Sequence, residues 1–122
     1  MTDKELVLKF YEEVFNKWDV SNIDRYMRDD YIQHNAAIET GKKGFLKFCK
    51  KFLPLKPHMD IFYILADGDK VCIFFKCTLG ATNTIAKVFD MYRIEDGKLA
   101  EHWDCIEENV GNVVPVHANG LF

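Results

Sequence analysis

TIAKVFDMYRIEDGKLAEHWDCIEE, residues 84–108, is the stretch that decides the fold. Residues 84–95 and 98–108 are rich in Ile, Val, Phe and Tyr, and Asp96-Gly97 between them supplies a hairpin turn. The register of that hairpin sets which side chains share a face. A two-residue turn pairs Glu95 with Lys98, puts Asp90 opposite Trp103, and leaves Asp90 and Asp104 on opposite faces. A three-residue loop, Glu95-Asp96-Gly97, closed by Gly97 in a left-handed bulge, pairs Ile94 with Lys98 and puts Asp90 opposite His102. Only the second gathers Asp90, Tyr92, His102 and Asp104 on one face and leaves Phe89, Met91, Trp103 and Cys105 on the other. The three-residue loop is the expected one, because Gly tolerates the left-handed conformation and the alternative isolates a carboxylate on each face of an apolar sheet.

Working outward, residues 59–66 and 70–79 have the same strand-forming character, with Asp67-Gly68 as their turn. Upstream the period is helical. Thr2 followed by Glu5 is a capping box, and Leu6, Val7, Phe10, Val14 and Trp18 carry a first helix over about 3–17. Asp19 or Ser21 can cap a second short helix bearing Ile23, Tyr26 and Met27. A third helix starts near Gly41 and Gly44, presents Phe45, Phe48, Cys49 and Phe52, and ends at Pro54 and Pro57. Three helices followed by a meander give an α+β design, one domain over residues 1–122, with helices on one face of a curved antiparallel sheet and no parallel crossover.

Sixteen basic and nineteen acidic residues leave a net charge of −3, with no basic stripe to follow a phosphate backbone, so nucleic acid is excluded as the expected partner. Lys42, Lys43, Lys47, Lys50 and Lys51 lie opposite the Phe face of the third helix and read as its solvated side. The start, Met1-Thr2-Asp3-Lys4-Glu5, lacks the basic run and apolar stretch of a signal peptide, and no membrane segment is expected. The expected location is a reducing cytoplasm. Cys49, Cys72, Cys77 and Cys105 form no Cys-x-x-Cys pair, and Cys72 and Cys77 point to opposite faces of one strand. No phosphate loop, Gly-x-Ser-x-Gly elbow or His-Glu-x-x-His occurs.

The ionisable residues among the apolar strand positions are the candidates for chemistry. Asp90 and Asp104 are carboxylates in apolar surroundings, which disfavour the charged form and bring a carboxyl toward the range useful for proton transfer. The bland readings are a strand-end carboxylate bonded to a neighbour for Asp104, an ion-paired carboxylate for Asp90, a loop or core histidine for His34, a solvent-facing His102, and packing for Tyr92 and Trp103. A metal set of His34, Asp90, His102 and Asp104 is chemically possible but matches no metal-ligand spacing, so no metal is expected. No thiol is marked as a nucleophile.

Tyr31-Ile32-Gln33-His34-Asn35, then Gly41-Lys42-Lys43-Gly44-Phe45, then Asp90 through Leu99, then Glu101-His102-Trp103-Asp104, and finally Ala118-Asn119-Gly120-Leu121-Phe122, together resemble the SnoaL-like branch of the nuclear-transport-factor-2-like superfamily. The resemblance runs in order over nearly the whole chain. It implies a cone-shaped curved sheet wrapped by three helices (a cystatin-like α+β roll), a hydrophobic pocket inside, no cofactor, and a homodimer. Members similar to polyketide cyclases use an acidic residue late in the last strand for an intramolecular aldol closure, and Asp104 occupies that position. Asp90 and His34 match pocket-lining polar positions; Tyr92, His102, Tyr31 and Asn35 are taken as substrate-binding. Ketosteroid isomerases share the fold and the carboxylate base. The chain departs from the branch at Ala36, where Pro is common, and at Phe74, where His is frequent.

The expected activity is cofactor-free acid/base catalysis on a small apolar carbonyl compound, isomerisation or aldol-type cyclisation. Asp104 is its acid/base, with Asp90 and His34 assisting. The alternative is a non-catalytic member of the fold that binds an apolar ligand or a protein partner. An enclosed Asp104 with a second polar group in reach favours the enzyme. A homodimer is expected to cover Phe89, Met91, Trp103 and Cys105.

Overall fold

Thr2 begins the first helix as its sequence requires: its Oγ accepts from the Glu5 N–H at 3.2 Å, and the Glu5 carboxylate accepts from the Thr2 N–H at 3.0 Å. In the computed structural model, which describes residues 1–122, helix α1 spans Asp3–Phe10 and runs on as a wider π-type helix over Tyr11–Asn16. The Lys17 N–H accordingly reaches back five residues, to the Glu12 carbonyl. Val7, Phe10, Tyr11 and Val14 are fully buried, each stabilising the fold by roughly 1.5–3 kcal/mol relative to an exposed side chain.

The expected second helix is reduced to a single 3-10 turn, Ile23–Arg25. Met27 already belongs to strand β1 (Met27–Gln33) and pairs with Leu99, so the chain has no length left for a helix there. Helix α2 covers Gly41–Phe52, with Phe45 and Cys49 buried and Phe48 and Phe52 half-buried. Lys50 and Lys51 fall in its last turn, where they oppose the negative end of the helix dipole. Gly44 is fixed by close approach: a Cβ there would lie 1.9 Å from the Glu39 carbonyl oxygen.

Strands β2 (Pro57–Asp67), β3 (Lys70–Leu79), β4 (Thr84–Glu95) and β5 (Lys98–Glu107) form the antiparallel meander, and the sheet order is β1-β5-β4-β3-β2. The first hairpin turns on Gly68-Asp69, one residue later than expected, because Asp67 still pairs with Lys70. The expectation of a wholly antiparallel sheet also fails. β1 pairs parallel to β5, with Ile32 beside Glu101 and Gln33 beside His102. The meander fixes the direction of β5, and the connection through α2 carries the chain from β1 to the far edge at β2.

The last hairpin corrects the expected register. Asp96 (φ 53°) and Gly97 (φ 71°) form a two-residue turn with both residues left-handed, and Glu95 pairs with Lys98. The ladder then shifts by one residue between Arg93 and Ile94: Ile94 pairs with Leu99 but Arg93 with Glu101, leaving Ala100 as the extra residue of a bulge. Beyond it Tyr92 faces His102 and Asp90 faces Asp104. The bulge therefore restores the shared face that the three-residue loop was invoked to produce.

The two faces of the sheet differ in kind. Val71, Ile73, Phe75, Cys77, Val88 and Ile94 point inward into a core with α1, the π-type helix and Phe45. On the other face, Phe74 stacks on Phe89 at 4.4 Å and packs against Phe62, Tyr63 and Phe122, while Phe89 remains 50% exposed. No helix is long and apolar enough to cross a membrane.

Candidate active site

A cavity of about 460 Å³ opens between the inner face of the sheet and α2. Sixteen of its 24 lining residues are hydrophobic, among them Phe15, Phe45, Phe48, Phe52, Phe75 and Val88. Its acidic members are Asp90, Asp104 and Glu108, and it contains no lysine or arginine. The volume lies within the range of small-molecule pockets.

Two inward rows of the sheet build the polar floor. One runs Ile73, Asp90, Asp104 across β3, β4 and β5, and the next runs Val71, Tyr92, His102, Gln33 from β3 to β1. The bulge at Ala100 brings the β5 members into these rows, and the parallel pairing of β1 supplies Gln33.

His102 is 5% exposed and sits between the two carboxylates. Its Nε2 is 3.3 Å from Asp90 Oδ1 and 3.8 Å from Asp104 Oδ2, yet it has no partner in hydrogen-bonding alignment. Its Nδ1 is 2.7 Å from Gln33 Oε1. That oxygen also accepts from the backbone N–H groups of His34 and Asn35, both at 3.0 Å. It is therefore an acceptor toward the ring as well, and Nδ1 must be the donor. In the neutral imidazole this tautomer leaves the Nε2 lone pair aimed at the carboxylates.

Each carboxylate is also held from its far side. Asn35 Nδ2 donates to Asp104 Oδ1 at 3.1 Å and to Oδ2 at 2.8 Å. The Tyr11 hydroxyl donates to Asp90 Oδ2, and the Tyr11 and Tyr92 hydroxyls are 2.9 Å apart. Burial first, and the neighbouring Asp90 carboxylate second, push the phenols of Tyr11, Tyr31 and Tyr92 well above the ordinary tyrosine range. All three stay protonated and can donate hydrogen bonds. Burial likewise pushes the Cys77 thiol up to about 12, the opposite of an activated nucleophile.

Of the residues singled out from sequence, Asp90, Tyr92, His102, Asp104, Tyr31 and Asn35 all line the cavity. His34 does not. Its ring stacks on Trp103 with centroids 5.0 Å apart, on the outer face, and its Nε2 is 2.7 Å from Glu101 Oε2. Gln33 turns inward to meet His102, and the next residue along the chain points the other way. Gln33 and Tyr11 were not among the sequence candidates. Gln33 adjoins the His-Asn pair and was open to notice, whereas Tyr11 reads as one more apolar position of an amphipathic helix.

Comparison with known proteins agrees with this architecture. The family model described as SnoaL-like polyketide cyclase matches residues 5–109. A candidate ketosteroid isomerase from Kribbella flavida superposes with a TM-score of 0.77 at 18% identity, covering 96% of this chain and 91% of the other. A candidate polyketide cyclase from Acidithiobacillus ferrooxidans gives a TM-score of 0.75 at 19% identity, over 86% and 87% of the two chains. AclR from Streptomyces galilaeus, described as a candidate hydroxylase, gives 0.73 at 23% identity, over 86% and 88%. At these identities the superpositions establish the fold. No curated protein matches the chain in sequence.

Proposed function

The chain belongs to the SnoaL-like polyketide cyclase family, and on that premise we propose that it is a cofactor-free acid/base enzyme acting on a small apolar carbonyl compound. Asp104 removes a proton from the carbon next to the carbonyl. The resulting enolate oxygen is stabilised by donors of the polar floor, the term that contributes most in such sites. The proton is returned at another carbon, giving isomerisation, or the enolate carbon attacks a second carbonyl of the same molecule, giving ring closure.

One observation carries this reading: the Asp104 side chain is 12% exposed in a mostly apolar cavity, beside His102 and Asn35, and no lysine or arginine reaches it. A carboxylate serving only as a surface ion pair would be exposed and matched to a cation. Asn35 orients the Asp104 carboxylate, and Gln33 orients the His102 ring. The protonated phenol of Tyr31 serves as a donor, while the Tyr92 hydroxyl hydrogen is held by Tyr11. His34 has no part in this reading, since it lies on the other face.

The test is to incubate the protein with β,γ-unsaturated cyclic ketones and with diketones able to close a ring, and to follow the conjugated products by ultraviolet absorption. Acceleration above buffer is expected for at least one compound class; absence of acceleration for both contradicts the proposal.

We also propose that two copies associate through the outer face. Phe89, Met91, Trp103 and Cys105 share that face with Phe74, and Phe89 and Cys105 are exposed in the single chain.

A further inference from the structure

The floor of the cavity sets two carboxyl groups against a single basic side chain. Asp90 and Asp104 face each other on adjacent strands, both side chains are about nine-tenths buried, and no lysine or arginine lines the cavity. The single basic group present is His102. Its Nδ1 hydrogen is committed to Gln33 by an oxygen that already accepts two backbone N–H groups, so Nε2 is the ring atom directed between the two carboxylates. Nε2 is fully buried and without a hydrogen-bond partner. One buried nitrogen facing two carboxyl groups is a favourable arrangement only with a positive species, a proton or a cation, held among them.

We propose that Asp90, His102 and Asp104 form a binding site for one divalent first-row transition-metal ion, ligated by His102 Nε2 and one oxygen from each carboxylate. The donor set of one imidazole nitrogen and two carboxylate oxygens suits zinc, cobalt or manganese. The three donor atoms all lie within 4.8 Å of one another. Ligands about 2.1 Å from a shared ion are closer together than this, and rotation of the two carboxylates closes the difference. The outer supports of a metal site are in place: Gln33 holds the non-ligating nitrogen of the ring, Tyr11 holds Asp90, and Asn35 holds Asp104. The remaining coordination positions open onto the cavity and take water or an oxygen ligand. The spacing of these residues along the chain matches no metal motif. The site arises from cross-strand pairing, which spacing along one strand does not encode.

On the acid/base reading above, an ion held here occupies Asp104 and His102 and inhibits in competition with substrate. The binding claim stands without that reading. The experiment is titration of protein freed of metal by chelator with Co²⁺, following its visible ligand-field absorption, and then displacement by Zn²⁺ measured by calorimetry. One equivalent is expected to bind. His102→Gln and Asp104→Asn are each expected to weaken binding at least tenfold, while Cys77→Ser and His34→Ala leave it unchanged. Circular dichroism establishes that each variant is folded, and Asp90→Asn replaces any that is not. Absence of a one-equivalent Co²⁺ spectrum, or undiminished affinity in folded His102→Gln and Asp104→Asn, overturns the site. Because the readout is binding, a protein that turns over ketones without taking up Co²⁺ loses only the metal site. One that binds Co²⁺ but accelerates no ketone reaction loses only the acid/base reading.

Discussion

Asp90 and Asp104 stand directly opposite each other on β4 and β5, and they do so because the bulge at Ala100 shifts the ladder by one residue between the turn and the site. Without that shift, the two-residue turn on Asp96-Gly97 would pair Asp90 with Trp103 and send Asp104 to the outer face. The bulge thus converts a tight, locally favoured turn into a site with two carboxylates on one face.

Gln33 is the residue on which the orientation of His102 depends. Gln33→Met removes the acceptor for three N–H groups while keeping the length of the side chain. It is expected to lower stability by about 2 kcal/mol and kcat by about tenfold or more, with KM little changed. The pH–rate profile should also move, because the ring tautomer is no longer fixed; a profile that superposes on the parent's would reduce Gln33 to a structural role. Denaturant unfolding and steady-state kinetics on an accepted ketone provide the measurements.

Four of the five tyrosines, Tyr11, Tyr26, Tyr31 and Tyr92, have phenols raised above the ordinary range, burial being the first cause in each. A raised folded-state value means the native chain holds its protons where the unfolded chain releases them. The associated stability is whole below about pH 10 and is lost as pH rises beyond it. The phenolate absorbance of these four should therefore appear together with loss of circular dichroism in an alkaline titration, rather than ahead of it.

Gly44→Ala tests the close approach of α2 to the segment before it. The added Cβ meets backbone at Glu39, which cannot rotate away. A loss of about 3 kcal/mol is expected, lowering the melting temperature by roughly 10 °C. Gly97→Ala, where the obstacle is a left-handed φ of 71° with open space around the site, should cost only about 1 kcal/mol.

The sequence made β3, β4 and β5 legible nearly to the residue, because runs rich in Val, Ile and Phe bounded by Gly-containing turns mark strands by composition. The capping box at Thr2 and Glu5 likewise announced α1. The second helix failed because Ile23, Tyr26 and Met27 are buried by a turn and a strand start, and their spacing alone does not separate those cases from a helix. The parallel pairing of β1 was illegible, since nothing local in Met27–Gln33 encodes a partner about 70 residues away. The shared face of Asp90, Tyr92, His102 and Asp104 was foreseen on the wrong mechanism: the expected pairs differ from the observed ones by two positions, and a shift of two preserves the face. The resemblance puts His34 in the pocket, but its neighbour Gln33 takes the inward position, and adjacent residues of an extended chain face opposite ways.

The proposed association of two copies through the outer face predicts that Phe74→Glu, which places a charge at the centre of the Phe62, Tyr63, Phe89 and Phe122 cluster, yields a monomer. Light scattering at micromolar concentration should give twice the chain mass for the parent and the chain mass for the variant. A monomeric parent contradicts the proposal.

Proton abstraction beside a carbonyl is the step that isomerisation and aldol closure share, so it tests the acid/base account independently of the natural substrate. Protein freed of metal by chelator is mixed in deuterium oxide with a cyclic ketone that the cavity admits, and deuterium uptake at the carbon next to the carbonyl is followed by proton NMR. The account predicts catalysed uptake by the parent and a loss of about a hundredfold or more in Asp104→Asn, which keeps the shape of the side chain and the Asn35 contact region while removing the proton acceptor. Equal uptake by folded parent and Asp104→Asn, or no uptake above buffer by the parent, would contradict it.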